Sequence, residues 1–546
     1  MTPNRFNIGC TSSLGLRGAR ILAWGAAALG ATAWVSGCSV LYDLSTAQCS
    51  TNDDCAPWPG LVCTESVCQE PVYECRTNQE CIDSADAFGR AAACIENECQ
   101  VLTTTECPIV LPLIEDKYFE TLAADNTLIL GAFGDTSAGY GTYVKNYDLA
   151  VTEFTRAGVG RPLVLVVCNN LLEEAQLDTA MTHLADTLKV PGIVSQLESS
   201  NLQRAVQGKG LENNIFFMSA LDSDSTLIRL EDRGLLWHAL SGGEAIGQSM
   251  APIVTRAVNY VAATEPVRVA HVSTPNIRFL ADLAGTVGET VTFNGMSVLE
   301  NLDAGNYESI PVTSAFENDD TADYTEAITR LRDFRPHIVI ANATTEFVEV
   351  IAPALEAAWD VAAPGQPRPF YILSPWLYNN PRTESFASTP ELRRRLIGLN
   401  APAAADSGLY DAYLLRWFDE FGEMAPLGYE NFYDAAYYLL YAALGAGESL
   451  NSGLDIARGM TRLLSGPQHG VGPMDLAGAA SDLGSIGNIT LNGTMGPPNF
   501  DINGGRSDAG SVWCYNSIGF LRSDLLTYNK DTQEMDGSLN GCFSGF

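Results

Sequence analysis

Two short apolar runs that each end in small polar residues constrain the fold of this chain more than any other feature. In the stretch 190–223, the run 193–194 leads into Ser195, and the run 215–217 leads into Ser219. A segment of helical character lies between them, so the stretch predicts a βαβ unit. Open parallel sheets bind ligands at the carboxyl ends of their strands, where loop hydroxyls and helix N-terminal amides meet. The stretch therefore predicts a cradle for a small molecule.

The same alternation of strand and helix continues on both sides of this stretch. The apolar runs 128–133 and 163–167 predict strands buried on both faces, and apolar residues at helical spacing follow each run. The pattern then restarts, with predicted strands at 267–272, 291–298, 337–341 and 370–373. This pattern predicts an α/β fold of two doubly wound, three-layer αβα lobes, joined by a hinge and separated by a cleft that closes on a ligand.

Charge and residue spacing exclude several classes of function. The formal net charge of −34 argues against a nucleic-acid partner, because such a surface does not neutralise phosphates. The five histidines are scattered without metal-ligand spacing, and His271 and His337 are expected to be structural. The stretch 247–251 faintly resembles a nucleophile elbow but falls inside a predicted helix. We therefore expect no enzyme, no catalytic residues, no metal and no cofactor.

The N-terminus has the features of an export signal. Basic residues precede the apolar run 21–35, and Ser36, Gly37 and Cys38 follow it. The run is shorter than the ~20 residues that a membrane-spanning helix needs. V-S-G-C resembles the bacterial lipobox, which implies lipidation at Cys38, with ordinary signal cleavage as the alternative. Ser39 resembles an outer-membrane sorting signal, so we expect a lipid-anchored protein of the bacterial cell envelope.

Two runs of four cysteines follow the signal. Their spacing and flanking residues repeat, as CSTNDDC parallels CRTNQEC; the cysteines are Cys49, Cys55, Cys63 and Cys68, then Cys75, Cys81, Cys94 and Cys99. Modules this short bury little apolar surface, so disulfides are expected to hold them together. Zinc is the alternative, but the spacings are not those of paired knuckles and no histidine lies nearby. The pairing stays open, since four cysteines allow three connectivities.

From about residue 127 to 515, the chain resembles the type I periplasmic binding proteins. The similarity is to their branched-chain amino-acid-binding branch, the receptors of ABC transporters. Five stretches carry it in the family's order: LILGAFGDTSAGYGTYVKNYDLAVTEFTRAG (128–158), PGIVSQLESS (191–200), FFMSALDSDSTL (216–227), FYDAAYYLLYAAL (432–444) and MGPPNFDINGGR (495–506).

The resemblance implies a set of ligand-binding residues. It places Ser199 on the hydroxyl that holds the ligand's carboxylate, and Leu221 on a carbonyl that accepts from its ammonium. Ser223 falls on a hydroxyl that contacts both groups, and Glu346, in IANATTEF, on the acid that pairs with the ammonium. A buried zwitterion needs such partners for both charges.

Structural roles are the alternatives for each of these residues. Ser199 and Ser223 are also typical helix N-caps, and an acid such as Glu346 complements a helix dipole in the first turn. Thr136 and Ser137 follow the first strand; they face the same cleft in the resemblance, with a plain turn as the alternative.

The chain also departs from that branch. Glu198 stands where the branch has a cysteine, so Cys168 needs another partner or stays free; we take Cys107 as the candidate, and pair Cys514 with Cys542. The aromatic residue that flanks the ligand in the second lobe has no clear match. The ligand is therefore not restricted to branched-chain amino acids.

Together these features predict seven segments and a function. The segments are a signal peptide (1–37), Cys-rich repeats (38–108), a linker (109–126), the first lobe (127–264), the second lobe (265–394), a return to the first lobe (395–494) and a crossover with a C-terminal tail (495–546). We expect a lipid-anchored solute-binding protein that captures an amino acid or amide-like ligand for an ABC permease or a sensor. The alternative is a cell-surface interaction protein that uses the Cys-rich repeats.

Overall fold

A computed structural model describes most of the chain beyond the N-terminus. The described residues are 49–55, 62–64, 66–69, 74–86, 90–114, 118–124, 126–136, 140–261, 263–314, 323–400, 408–426, 428–508 and 510–546. The expected signal peptide, Cys38 and Ser137 lie outside these ranges. The chain divides into two compact units, Met1–Tyr73 and Glu74–Phe546.

The first unit contains the first cysteine repeat. A single turn of 3-10 helix, Asn52–Cys55, precedes an antiparallel hairpin of β1 (Val62–Thr64) and β2 (Val67–Gln69). Disulfides join Cys49 to Cys63 and Cys55 to Cys68.

The second repeat belongs to the second unit. It consists of α1 (Asn78–Asp86), β3 (Ala92–Ile95) and β4 (Glu98–Val101), with disulfides Cys75–Cys94 and Cys81–Cys99. Both repeats thus pair their first cysteine with the third and their second with the fourth, which confirms the disulfide prediction. The Asn78 amide donates to the Leu122 carbonyl at 2.9 Å and so attaches this repeat to the first lobe.

The first lobe is built on a six-stranded sheet of order β10-β9-β8-β6-β7-β5. Its strands are β5 (Ile109–Leu111), β6 (Leu128–Gly134), β7 (Leu163–Asn169), β8 (Gly192–Ser195), β9 (Phe216–Ser219) and β10 (Leu236–His238). Its helices so far are α2 (Tyr118–Leu122), α3 (Thr142–Ala157), α4 (Glu174–Thr182), α5 (Ser199–Ala205) and α6 (Ser225–Ile228). All strands except β5 are parallel to their neighbours.

Helical spacing correctly predicts which faces of these helices are buried. Tyr147, Val151 and Phe154 pack α3 into one apolar cluster, while Leu177 and Met181 pack α4 into another on the opposite face of the sheet. The predicted three-layer arrangement of this lobe is therefore confirmed.

The second lobe follows with the same alternation. Its strands are β11 (Val269–Ser273), β12 (Thr292–Phe293), β13 (Met296–Ser297), β14 (Tyr307–Pro311), β15 (Ile338–Asn342), β16 (Phe370–Leu373) and β17 (Leu396–Asn400). Its helices are α7 (Gly243–Gly247), α8 (Met250–Val261), α9 (Arg278–Thr290), α10 (Val298–Asp303), α11 (Thr325–Phe334), α12 (Ala352–Ala362), α13 (Pro381–Phe386) and α14 (Pro390–Arg393).

The chain then returns to the first lobe and crosses once more. The returning elements are α15 (Gly408–Phe421), α16 (Glu430–Ala446), α17 (Gly453–Thr461), β18 (Gln468–Gly470), α18 (Pro473–Ser485) and β19 (Thr490–Asn492). The final strands are β20 (Ser511–Tyr515), β21 (Leu521–Asn529) and β22 (Glu534–Gly537). These complete the sheet of the second lobe, whose order is β14-β11-β15-β16-β17-β20-β21-β22.

Arg506 fastens two of the lobe-to-lobe crossings together. Its buried guanidinium donates to the carbonyl of Ala239 at 3.2 Å and to that of Met495 at 2.7 Å, and it pairs with Asp508 at 2.9 Å. Ser241 forms an isolated parallel bridge with the same residue.

Several expected boundaries differ from the strand pairing and packing. The expected linker 109–126 contains β5, which pairs with β7 because its apolar residues cover an edge of the sheet. The helices of 243–261 pack in the apolar cluster of the second lobe, although the sequence placed them in the first. Strand β17 and strands β20 to β22 also belong to the second sheet, and not to a return segment or a tail.

The predicted strand 291–298 is wrong. Asn294 and Gly295 take positive φ values of 53° and 73°, so the segment folds into the short β12–β13 hairpin around them. One edge strand of the sheet is β14, in which Tyr307 and Ile310 are buried, and the sequence analysis does not predict this strand.

Both remaining disulfides match the sequence hypotheses. Cys107 bonds to Cys168 at the end of β7, and Cys514 in β20 bonds to Cys542.

Candidate ligand-binding site

Polar residues follow three neighbouring strands at one edge of the first sheet. Asp135 and Thr136 follow β6, Gln196 follows β8, and β9 ends at Ser219. The buried Gln196 amide oxygen accepts from the Asp135 backbone N–H at 3.0 Å, which ties two of these loops together. Since parallel strands end at the same edge, this rim is where the βαβ pattern predicts a ligand.

Ser199 and Asp222 form the central contact of this rim. The Ser199 hydroxyl, at the first residue of α5, donates to Oδ2 of Asp222. The other oxygen, Oδ1, accepts from the backbone N–H of Asp224 at 3.1 Å. Burial raises the pKa of Asp222 to about 6; the Ser199 hydrogen bond opposes this effect and the nearby Asp224 charge adds to it.

The other two residues that the resemblance places in the loop after β9, Ser223 and Leu221, differ in exposure. Ser223 is buried and its hydroxyl donates to the Ser241 carbonyl at 3.0 Å, so its proton is used inside the protein. The side chain of Leu221 is 37% exposed. Neither serine caps a helix: Asp224 caps α6 through Oδ1, and Ser199 lies inside α5.

The rim of the second lobe carries a carboxylate in a nest of hydroxyls. Glu346 accepts from the Ser314 hydroxyl at 2.8 Å and from the hydroxyl of Thr344. The two hydroxyls are 3.1 Å apart, and the Ser314 backbone N–H donates to Asn276 at 3.2 Å. Glu346 precedes a helical turn, Phe347–Ile351, without capping it through its side chain.

Two buried polar groups lie where neighbouring strands end at this second rim. Thr274 Oγ1 and Asn342 Oδ1 are fully buried and have no hydrogen-bond partner among the described residues. The Asn342 amide nitrogen contacts His271 Nε2 at 3.1 Å, and His271 Nδ1 contacts the Tyr307 hydroxyl at 2.7 Å. Burial lowers the pKa of His271 to about 4, so this histidine is neutral and structural, as the sequence predicts.

Contacts of α9 connect the two rims. Asp282 accepts from both the backbone N–H and the hydroxyl of Ser225, each at 2.7 Å. The guanidinium of Arg278 donates to Gln203 at 2.9 Å. Gln203 lies one turn after Ser199 on α5, and Asn276, two residues before Arg278, reaches the hydroxyl nest of Glu346. The contacts therefore lead from the Ser199–Asp222 pair to Glu346.

Tyrosines line the same part of the first lobe. The ring centroids of Tyr143 and Tyr429 are 5.2 Å apart, and the pKa of Tyr143 is raised by burial, then by Tyr429 and least by the charge of Asp135. The pKa of Tyr410 is raised by burial, by Glu430 and by Tyr378 of the second lobe. Tyr143 and Tyr410 thus both lie near acidic groups.

Ser249, in the stretch that resembles a nucleophile elbow, is fully buried. It lies between α7 and α8, and its hydroxyl donates to the Ile246 carbonyl at 2.6 Å. The strand-to-helix turn that exposes such a nucleophile is missing at this position.

Comparison with solved structures identifies the fold. A branched-chain amino acid transporter substrate-binding protein from Streptococcus pneumoniae, solved with isoleucine, matches 73% of this chain and 98% of its own at 14% identity and a TM-score of 0.51. A leucine-binding protein from Thermotoga maritima matches 74% and 99% at 13% identity and the same TM-score. No protein-family model and no curated protein matches the sequence. The chain thus has the type I periplasmic binding protein fold, as its motifs imply.

None of the helices in the described ranges is both long and apolar enough to cross a membrane.

Proposed function

We propose that this protein is an extracytoplasmic solute-binding protein that closes its two lobes on a small polar ligand. The facing rims carry this proposal: hydroxyls and the carboxylate of Asp222 lie on one side, and Glu346 in its hydroxyl nest lies on the other. Groups of this kind hold a polar solute in a cleft that excludes water. In this proposal Thr136, Ser137 and the carbonyl of Leu221 also contact the ligand.

The solved neighbours support a solute of amino acid or amide size. One of them holds isoleucine and the other is described as leucine-binding. Such proteins deliver a ligand to an ABC permease or report it to a sensor. We propose one of these partners here, with a lipid anchor at Cys38 that keeps the protein at the bacterial outer membrane.

A thermal-shift assay of the full chain against amino acids, amides and amines tests the proposal. A ligand at a hundred times its dissociation constant stabilises the folded state by about 2.7 kcal/mol. The double variant Ser199→Ala/Glu346→Ala removes one polar group from each rim and should abolish the shift. The control Ser485→Ala/Glu349→Ala changes the same residue types at exposed positions and should keep it.

A panel without any shift would contradict the proposal. That result would favour the alternative function, in which the disulfide-linked repeats bind another molecule of the cell surface.

A further inference from the structure

The groups of the first rim that could hold an anion already hold one. Ser199 donates to Asp222, and the backbone N–H groups of Ser223 and Asp224 lower the pKa of the same carboxylate. A hydroxyl and loop amides next to a helix start are the donors that bind a ligand carboxylate in open α/β sheets. With Asp222 among them, an incoming carboxylate meets a like charge and finds these donors occupied.

No positive side chain balances this carboxylate within the described ranges. The contacts of Asp222 are with Ser199, Ser219, its own loop and the ring of His238, which meets its backbone carbonyl at 2.7 Å. Burial lowers the pKa of His238, so β10 contributes a neutral ring. The remaining neighbour, Asp224, is itself acidic.

Two buried acceptors next to the rim residues lack a hydrogen bond. Asp224 follows Asp222 by two residues and is fully buried, and its Oδ2 has no hydrogen-bond partner in the described part of the chain. In the second lobe, at the end of β15, Asn342 Oδ1 is also fully buried and unpaired, and it can only accept. A buried acceptor without a hydrogen bond is destabilising. A ligand that carries N–H donors removes this cost, whereas a carboxylate cannot.

The aromatic rings favour the same ligand chemistry. Tyr143 and Tyr410 are half-buried in the first lobe, where Asp135 and Glu430 lie close enough to raise their pKa values. The π face of a tyrosine ring attracts a cation electrostatically. Rings beside carboxylates therefore suit an ammonium or a guanidinium.

We propose that the cleft selects a cationic solute, an alkylamine or guanidine without a carboxylate, and that Asp222 is the residue that makes this selection. The inference rests on the proposed function, because it names the ligand class of that same cleft. Asp222 forms the ion pair at the first rim, and Glu346 forms the second at the opposite rim.

Matched pairs of amines and amino acids test the inference. Isothermal titration calorimetry of the full chain at pH 7.5 compares isoamylamine with leucine, cadaverine with lysine, and agmatine with arginine. Each amine differs from its partner only by the missing carboxylate. At least one amine should bind about tenfold or more tightly than its amino acid, since a buried like-charge contact costs more than about 1.4 kcal/mol.

Two variants and a control make the test specific to Asp222. Asp222→Asn should weaken amine binding about tenfold or more. It should also reduce the ratio of affinities between each amine and its matching amino acid. Ser199→Ala keeps the charge but loses the donor that orients it, so affinity should fall by a smaller factor while the preference remains. Asp360→Asn removes an exposed carboxylate on α12 and should change neither affinity nor preference.

The outcomes separate this inference from the proposed function. Amino acids that bind as tightly as their amines, or a preference unchanged in Asp222→Asn, would overturn the inference and leave the solute-binding function in place. Binding of neutral amides alone would do the same. Binding of no solute of any class would overturn the proposed function and, with it, the inference.

Discussion

The two rims of the cleft each present a carboxylate, but they hold it in different ways. Asp222 is fixed by a backbone amide of its own loop as well as by Ser199. Glu346 accepts from the side-chain hydroxyls of Ser314 and Thr344. Backbone amides keep their direction, whereas hydroxyls can rotate toward a new acceptor. In the proposed function, the first rim is thus organised before a ligand arrives, and the second can exchange its hydrogen bonds when the lobes close.

The largest expected effect is on the second rim. Glu346→Gln keeps the size of the side chain and an acceptor for the hydroxyls, but removes the charge. Amine affinity at pH 7.5 should fall about ten- to a hundredfold, because a hydrogen bond to a charged group contributes about 1.5–3 kcal/mol. Calorimetry with the amine that binds best measures this loss.

Glu349→Gln is the matched control, since Glu349 lies in the helical turn that follows Glu346 and pairs with Arg382 outside the hydroxyl nest. Equal affinity of Glu346→Gln and the unchanged protein would mean that only the first rim recognises the charge of the ligand.

The second largest effect is a pH dependence of amine affinity, which we expect to arise from Asp222 of the first rim. With its pKa at about 6, Asp222 is ionised at pH 7.5 and about nine-tenths protonated at pH 5. Alkylamines stay protonated over this range, so their affinity should fall about tenfold from pH 7.5 to pH 5. Asp224 on the same loop and the His238 ring on β10 are the titratable groups next to Asp222.

In Asp222→Asn most of the pH dependence of amine binding should disappear. An unchanged slope in this variant would assign the titration to another group, such as Glu430, whose pKa burial raises to about 7, and would contradict the proposed difference between the rims.

The smallest effect is on stability without ligand. Because burial raises the pKa of Asp222, between about pH 4 and 6 the folded state holds a proton that the unfolded state has already released. The contribution of Asp222 to the free energy of unfolding is therefore largest at low pH and is lost as the pH rises through 6. Unfolding in urea should show a gain of about 1 kcal/mol for the unchanged protein from pH 8 to pH 5, relative to Asp222→Asn. An equal pH response of both proteins would show that Asp222 is better solvated than its burial suggests.

Much of the fold could be predicted because its signals are local. The uninterrupted run 163–167 is a buried parallel strand, and the apolar spacing that includes Tyr147 and Phe154 marks the buried face of α3. The segment 291–298 misled because apolar residues flank an Asn-Gly pair, which turns the chain before a long strand forms. The lobe assignment of 243–261 also failed, since a helix pattern shows which face is buried but not which sheet covers it.

The site was harder to predict because its central contact joins two loops. Ser199 is visible from its position after a strand, but nothing in SALDS shows that Asp222, and not Ser223, points at it. That difference depends on the turn in which the Ser219 hydroxyl accepts from the Asp222 backbone N–H at 3.1 Å. The presence of an acid within the loop was the available signal, and its meaning appears only when the serine of the neighbouring loop lies beside it.

Arg506 has a consequence for any motion between the lobes. Its hydrogen bonds to Ala239 and Met495 join two of the segments that connect the lobes, so these segments act as one hinge axis and do not move independently. Rotation about such a hinge axis moves the residues beside it least and the remote tips of the lobes most. A membrane partner that distinguishes the ligand-bound from the ligand-free protein would therefore sense the distance between those tips.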